Sequence, residues 1–123
     1  MPKAMVIDDS RAMRMILSRT LRDLGFDIAE AANGQEALDR LKGDPEVSLI
    51  LCDWNMPVMN GLQFVEKLRA DARYASSLIV MVTTETEMGQ MLRALEAGAN
   101  EYVMKPFTRE TIEEKLRLLG AVH

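Results

Sequence analysis

Four short apolar runs in this chain end in residues able to do chemistry. The first run ends in Asp8-Asp9, the third in Asp53, the fourth in Thr83-Thr84-Glu85 and the fifth in Lys105-Pro106. Brought side by side, two carboxylates ~5 Å apart repel by roughly 3 kcal/mol at an effective dielectric near 20. Three together either hold a proton or bind a cation. A few hard oxygen ligands suit Mg²⁺, which completes its shell with water and phosphate oxygens. Lys105 supplies a point charge for a phosphoryl oxygen, and Thr83 a hydroxyl donor. Carboxylates, cation, ammonium and hydroxyl together describe phosphoryl transfer, which is mostly positioning and charge neutralisation. No serine or cysteine with an adjacent base competes as nucleophile, and the single histidine, His123, stands alone at the terminus. The nucleophile is then a carboxylate, as in enzymes that form aspartyl-phosphate. Taken alone, Asp8-Asp9 reads equally well as a helix-capping cluster; the other strand ends favour chemistry.

These residues need a scaffold that gathers strand ends. Apolar runs at 4–7, 28–31, 49–52, 78–82 and 102–104 alternate with helical patterns. The first, third and fourth are continuously apolar, as parallel strands covered on both faces are. The first helix is expected to start at Ser10 as N-cap, with Met13, Leu17, Leu21 and Leu24 on one face, Arg11, Arg14 and Arg22 pointing elsewhere, and Gly25 as its stop. The second opens at Asn33, with Glu36 in capping-box spacing, and Asp44-Pro45 forces a turn after it. The third opens near Asn60-Gly61. The fourth is predicted over about 87–97, with Met88, Met91, Leu92 and Leu95 apolar and Gly98 as its stop. The fifth follows Thr108, with Ile112, Leu116 and Leu119 on one face. Strict alternation predicts an α/β doubly wound fold: a five-stranded parallel sheet, right-handed crossovers and five helices on both faces. Such sheets bind ligands at the carboxyl ends of their strands. In the order 2-1-3-4-5, one edge carries three carboxylates, hydroxyls and one ammonium in a row.

The bulk properties narrow the setting. A chain of 123 residues suits one domain, spanning 1–123, with no need of staples. Its net charge of −4 favours neither nucleic acid nor an anionic membrane as partner. The lone Cys52 lies in an apolar run and reads as a buried, inert thiol. No signal peptide precedes the first run, and no apolar stretch approaches the ~18 residues needed to cross a bilayer, so a cytoplasmic location is expected. Trp54 reads either as core or as a residue at the mouth of the site.

Several segments carry a family resemblance: Val6-Ile7-Asp8-Asp9-Ser10, Asp53-Trp54-Asn55-Met56-Pro57 with Gly61, Met81-Val82-Thr83, and Tyr102-Val103-Met104-Lys105-Pro106-Phe107. The chain resembles the receiver domain of two-component response regulators over its whole length, and more narrowly the free-standing members that serve chemotaxis. That resemblance implies a flavodoxin-like fold and a role for each motif residue. Asp53 would be the phosphoacceptor. Asp9, Asp53 and the backbone carbonyl of Asn55 would bind Mg²⁺, with Asp8 helping through water. Lys105 would contact the phosphoryl group, Thr83 would move toward it, and Tyr102 would turn inward. The Lys105-Pro106 peptide would be cis. A sensor histidine kinase would donate the phosphoryl group. A downstream protein, such as a flagellar motor switch, would read it, and a phosphatase would be a further partner. The expected state is a monomer that signals through its own surface, with Met91 and Tyr102 as partner contacts. Two departures from the family pattern stand out: Asn60 where Asp is common, and Thr84 where a smaller residue is common.

Three rival readings stay open. A haloacid-dehalogenase-like phosphatase would use a general acid two residues after its nucleophile, where this chain has Asn55. A receiver-like scaffold would carry no phosphate. A relay carrier would hold phosphate without switching.

Overall fold

The structure is a computed structural model that describes residues 2–44 and 46–122. Pro45, on which the turn after the second helix was predicted, and His123 lie outside the described residues.

Five parallel strands form one sheet: β1 (Lys3–Ile7), β2 (Asp27–Ala31), β3 (Val47–Asp53), β4 (Leu78–Thr83) and β5 (Glu101–Met104). Their order is β2-β1-β3-β4-β5, the order in which the strand-end residues were expected to line up. Each observed strand contains its predicted apolar run and extends it by one to three residues. Ladder pairing uses the backbone, so polar residues such as Lys3 and Asp27 join it regardless of side chain. The register that pairs Ile7 with Cys52 and Asp53 with Val82 sets the ends of β1, β3 and β4 side by side.

The helices are α1 (Arg11–Asp23), α2 (Gly34–Lys42), α3 (Gly61–Arg69), α4 (Met91–Ala97) and α5 (Arg109–Leu118). Alternation along the strands splits the core in two. Met5, Ile7, Ile50, Cys52, Ile79 and Met81 face α2, α3 and α4. Ala4, Val6, Leu49, Leu51, Val80 and Val82 face α1 and α5. Cys52 is fully buried, and burial pushes its thiol far above the ordinary range. Among the described residues, no helix is long and apolar enough to cross a membrane.

Side-chain caps start four of the helices. The Ser10, Asn33, Asn60 and Thr108 side chains accept from the backbone N–H three residues on. At α3 the cap is reciprocal, with Gln63 Oε1 accepting from Asn60 N–H at 3.0 Å. At α2 the predicted reciprocal arm is redirected: Glu36 pairs with Arg40 at 3.2 Å instead. Gly61 begins α3 hard against β3. A Cβ there would meet the Asp53 carbonyl at 2.8 Å and Trp54 Cα at 3.0 Å. Backbone cannot yield as a side chain can, so glycine at this position lets α3 start directly behind the end of β3.

The fourth helix differs from the prediction. Residues Glu85–Gln90 form a 3-10 segment, and α4 proper begins only at Met91. None of those six residues is fully buried, and only Met88 packs partly against the core, so little apolar surface presses the segment into α geometry.

Candidate functional site

The site is built at the carboxyl ends of β1, β3, β4 and β5. Asp8, Asp9 and Asp53 each bring a carboxylate oxygen to within 4.8 Å of the others. Asp8 is 1% exposed and Asp53 6%, while Asp9 is open to solvent. Lys105 reaches in from the end of β5, with its Nζ 3.4 Å from Asp53 Oδ1 and 3.7 Å from Asp8 Oδ2. The Lys105-Pro106 peptide is cis. The backbone N–H of Lys105 also donates to the Thr83 carbonyl at 2.6 Å, tying β5 to the end of β4.

Asp8 is held on two sides. Its Oδ1 accepts from Ser10 N–H at 2.9 Å, and its backbone carbonyl accepts from Arg14 Nη1 at 2.7 Å. Arg14 was expected to point away. Its guanidinium instead folds back toward the site, with Nε 3.4 Å from Glu30. Helical periodicity places a Cα on a face; it does not say where a long, flexible side chain ends. Asp8 Oδ2 is buried with no hydrogen-bond partner.

Burial, and next the charge of Asp8, push Asp53 up to about 6, against the pull of Lys105. Burial likewise raises Asp8, opposed by Ser10 N–H and Lys105. Three carboxylates facing one ammonium leave an uncompensated negative charge. That surplus, together with an orphaned buried oxygen and an all-oxygen donor set, fits a hard divalent cation. Asp9, Asp53 and Asp8 are the side chains that could hold it.

The remaining predicted residues surround this centre. Thr83, fully buried at the end of β4, hydrogen-bonds into the loop beyond it. Tyr102 is half-buried on β5, with Lys115 Nζ 5.0 Å from its ring centroid. Trp54 is 7% exposed and belongs to the core, which resolves its two readings. Met91 is corrected: it is 3% exposed and packs into the core, so it offers no partner contact here. The apolar side chains that α4 and β5 leave exposed are Leu92, Leu95 and Met104. Arg14 and Glu87 were missed by the sequence reading; Arg14 left no signal, but Thr84 and Glu87 stand at capping-box spacing, which could have marked Glu87.

The loop between β3 and α3 carries one strained residue. Val58 has φ +69°, a left-handed conformation that a β-branched side chain resists, and its side chain is exposed. Val58→Asn is expected to raise stability by about 1 kcal/mol, because Asn tolerates this region. A higher urea midpoint at unchanged slope would show it; an equal or lower midpoint would show that the strain is not stored there.

Comparison with known proteins places this geometry among relatives. Residues 4–117 match the family described as the response regulator receiver domain. Chemotaxis protein CheY1 of Helicobacter pylori is 43% identical over 118 residues, covering 95% of each chain. A chemotaxis protein CheY homolog of Campylobacter jejuni is 47% identical over 115 residues, covering 93% of this chain and 88% of that protein. The crystal structure of the chemotaxis response regulator CheY4 of Vibrio cholerae superposes with a TM-score of 0.89 at 36% identity, covering 97% of this chain and 98% of that one.

Proposed function

The chain belongs to the response regulator receiver domain family, and from that membership we propose that it is a phosphorylation-controlled binding module serving chemotaxis. Asp53 takes a phosphoryl group from a phosphohistidine on a sensor kinase, and the modified domain binds a downstream protein such as a flagellar motor switch. The observation that carries this reading is Lys105 lying between the carboxylates of Asp53 and Asp8, at 3.4 and 3.7 Å, in a cluster with Asp9.

An Asp53 oxygen attacks phosphorus, the N–P bond to the donor imidazole breaks, and the bond's electron pair leaves with the imidazole. Lys105 offsets the charge gathering on the phosphoryl oxygens. Asp9, Asp53 and the Asn55 carbonyl would hold Mg²⁺, with Asp8 helping through water; when bound, that ion neutralises carboxylate and phosphoryl charge. A turnover phosphatase would need a general acid two residues after Asp53, and Asn55 cannot supply one.

The new phosphoryl group brings a charge of about −2. Thr83 can donate to it only by turning from its present partners. Tyr102, on the neighbouring strand, is the large side chain best placed to fill the space that Thr83 leaves. The output face then comprises α4, β5 and α5, with Leu92, Leu95 and Met104 in place of Met91 as its apolar contacts. Inverting a population from 1:99 to 99:1 takes ~5.5 kcal/mol of preference for the active state.

Amide NMR with beryllofluoride and Mg²⁺ tests the switch. Shifts should extend from the site through Thr83 and Tyr102 to Leu92, Leu95 and α5. If they stop at the strand ends, the protein is a phosphate carrier and not a conformational switch.

A further inference from the structure

Glu87 plays no part in the phosphoryl chemistry, yet its carboxylate lies at the switch. Its Oε1 accepts from Thr84 N–H at 3.1 Å and from Thr84 Oγ1 at 3.0 Å. Thr83 Oγ1 stands 3.5 Å from the same oxygen and 3.3 Å from the Thr84 carbonyl. Thr86 Oγ1 lies 2.9 Å from Thr84 Oγ1 and closes the cluster. Both acceptors facing the Thr83 hydroxyl therefore belong to the loop after β4, and neither belongs to Asp8, Asp9 or Asp53. A hydroxyl carries one proton, so it cannot donate to this loop and to a phosphoryl oxygen at once.

We infer that Glu87 is a latch that holds Thr83 in its resting orientation, in competition with a phosphoryl group on Asp53. The inference rests on reading Asp53 as the phosphoacceptor and Thr83 as a donor to its phosphoryl group. Glu87 is a positioning residue: it acts through Thr83 and touches neither carboxylate cluster nor phosphoryl group. An ionised acceptor attracts a hydroxyl proton more strongly than a neutral carbonyl does, so the carboxylate biases the hydroxyl toward the loop.

The same oxygen ties the switch to the start of α4. The 3-10 segment Glu85–Gln90 buries none of its residues fully. The hydrogen bonds that Thr84 donates to Glu87 fix the start of the segment, and Met88 packs part of it against the core. Once Thr83 leaves, the carboxylate loses one of its donors and the segment before α4 is freed to repack. Loss of the Thr83 contact and motion of α4 become one event. Whatever free energy the contact contributes at rest is subtracted from affinity for a phosphoryl group.

A plain helix cap would account for the Thr84 contacts, so the test must isolate Thr83. Beryllofluoride is titrated with saturating Mg²⁺ into the parent, Glu87→Ala, Glu87→Gln, Thr83→Ala and the Glu87→Ala/Thr83→Ala double variant. Glu87→Ala should bind about two- to threefold tighter, the low end for one hydrogen bond, because the contact is long and the Thr84 carbonyl remains as an acceptor. Glu87→Gln keeps an acceptor oxygen and the cap but loses the charge, so it should show a smaller gain. In the Thr83→Ala background, Glu87→Ala should change affinity little, because the contested hydroxyl is gone. A gain that persists undiminished in that background overturns the latch, as does a Glu87→Ala variant that binds no tighter than a binding-competent parent. A parent that takes up no beryllofluoride overturns the phosphoacceptor reading itself, and the latch with it.

Discussion

The Asp53→Asn variant is expected to take up no phosphoryl group from acetyl phosphate or a phosphorylated kinase, under conditions where the parent takes up one. The parent's group should be labile to base, as acyl phosphates are. The reason is geometric as much as chemical. Of the three clustered carboxylates, Asp8 is the most confined: Ser10 N–H and Arg14 fix it, and it is 1% exposed. Asp9 is exposed, and among the described residues it makes no ion pair with Lys105, whose ammonium pairs with Asp8 and Asp53 instead. Asp53 makes the shorter contact to Lys105, 3.4 Å against 3.7 Å for Asp8. An amide is far less nucleophilic than a carboxylate, and the loss should exceed about a hundredfold, the scale of removing a central catalytic group. Mass spectrometry of the intact protein would read the uptake. A phosphoryl group on Asp8, Asp9, a serine or a threonine of the parent would sink the assignment.

The same substitution should make the fold more stable when no divalent cation is present. Burial and the neighbouring Asp8 charge raise Asp53 from 3.8 to about 6. For an acid whose folded-state pKa is raised, the contribution to stability is fully present below about 4. It is lost as pH rises through about 6, because the unfolded chain releases the proton first. At pH 7 the folded protein therefore carries an ionised carboxylate at a cost of about 2 kcal/mol, from ~1.36 kcal/mol per pKa unit reduced for solvent screening. Asp53→Asn keeps the shape and removes the charge. In chelator at pH 7 it should melt about 5–10 °C above the parent, and the gap should close near pH 4. Mg²⁺ should raise the parent's melting temperature by neutralising the cluster, and should do little for Asp53→Asn or Asp9→Ala. A parent indifferent to Mg²⁺, or a variant that melts lower at pH 7, would show that the carboxylates do not strain one another.

Local features of this protein were legible before any coordinates. Apolar runs marked all five strands, and alternation with helical patterns implied their parallel order. Ser10, Asn33, Asn60 and Thr108 announced their helices, because a cap is a contact between residues three apart and needs no tertiary information. The strand-end residues Asp8, Asp9, Asp53, Thr83 and Lys105 followed from the rule that parallel sheets gather ligands at one edge.

What the tertiary structure alone decided concerns distance, burial and the ends of long side chains. Lys105 and Asp53 are 52 positions apart in the chain, and only the strand register brings them to 3.4 Å. Met91 lies on an amphipathic stretch; periodicity could not say which part of that face meets the core, and packing with the sheet buried it while leaving Leu92 outside. Arg14 turned back to the Asp8 carbonyl, a partner that the end of β1 brings within reach, whereas the Glu87 contact with Thr84 is a capping box three residues apart and only its approach to the buried Thr83 hydroxyl needed the fold. The 3-10 segment before α4 has helix-compatible residue types, but only Met88 of it packs partly on the core, so the Thr84–Glu87 hydrogen bonds share in setting its geometry. Sequence pattern records which residues share a face, whereas the depth of that face and the reach of its charges depend on the elements that pack against it.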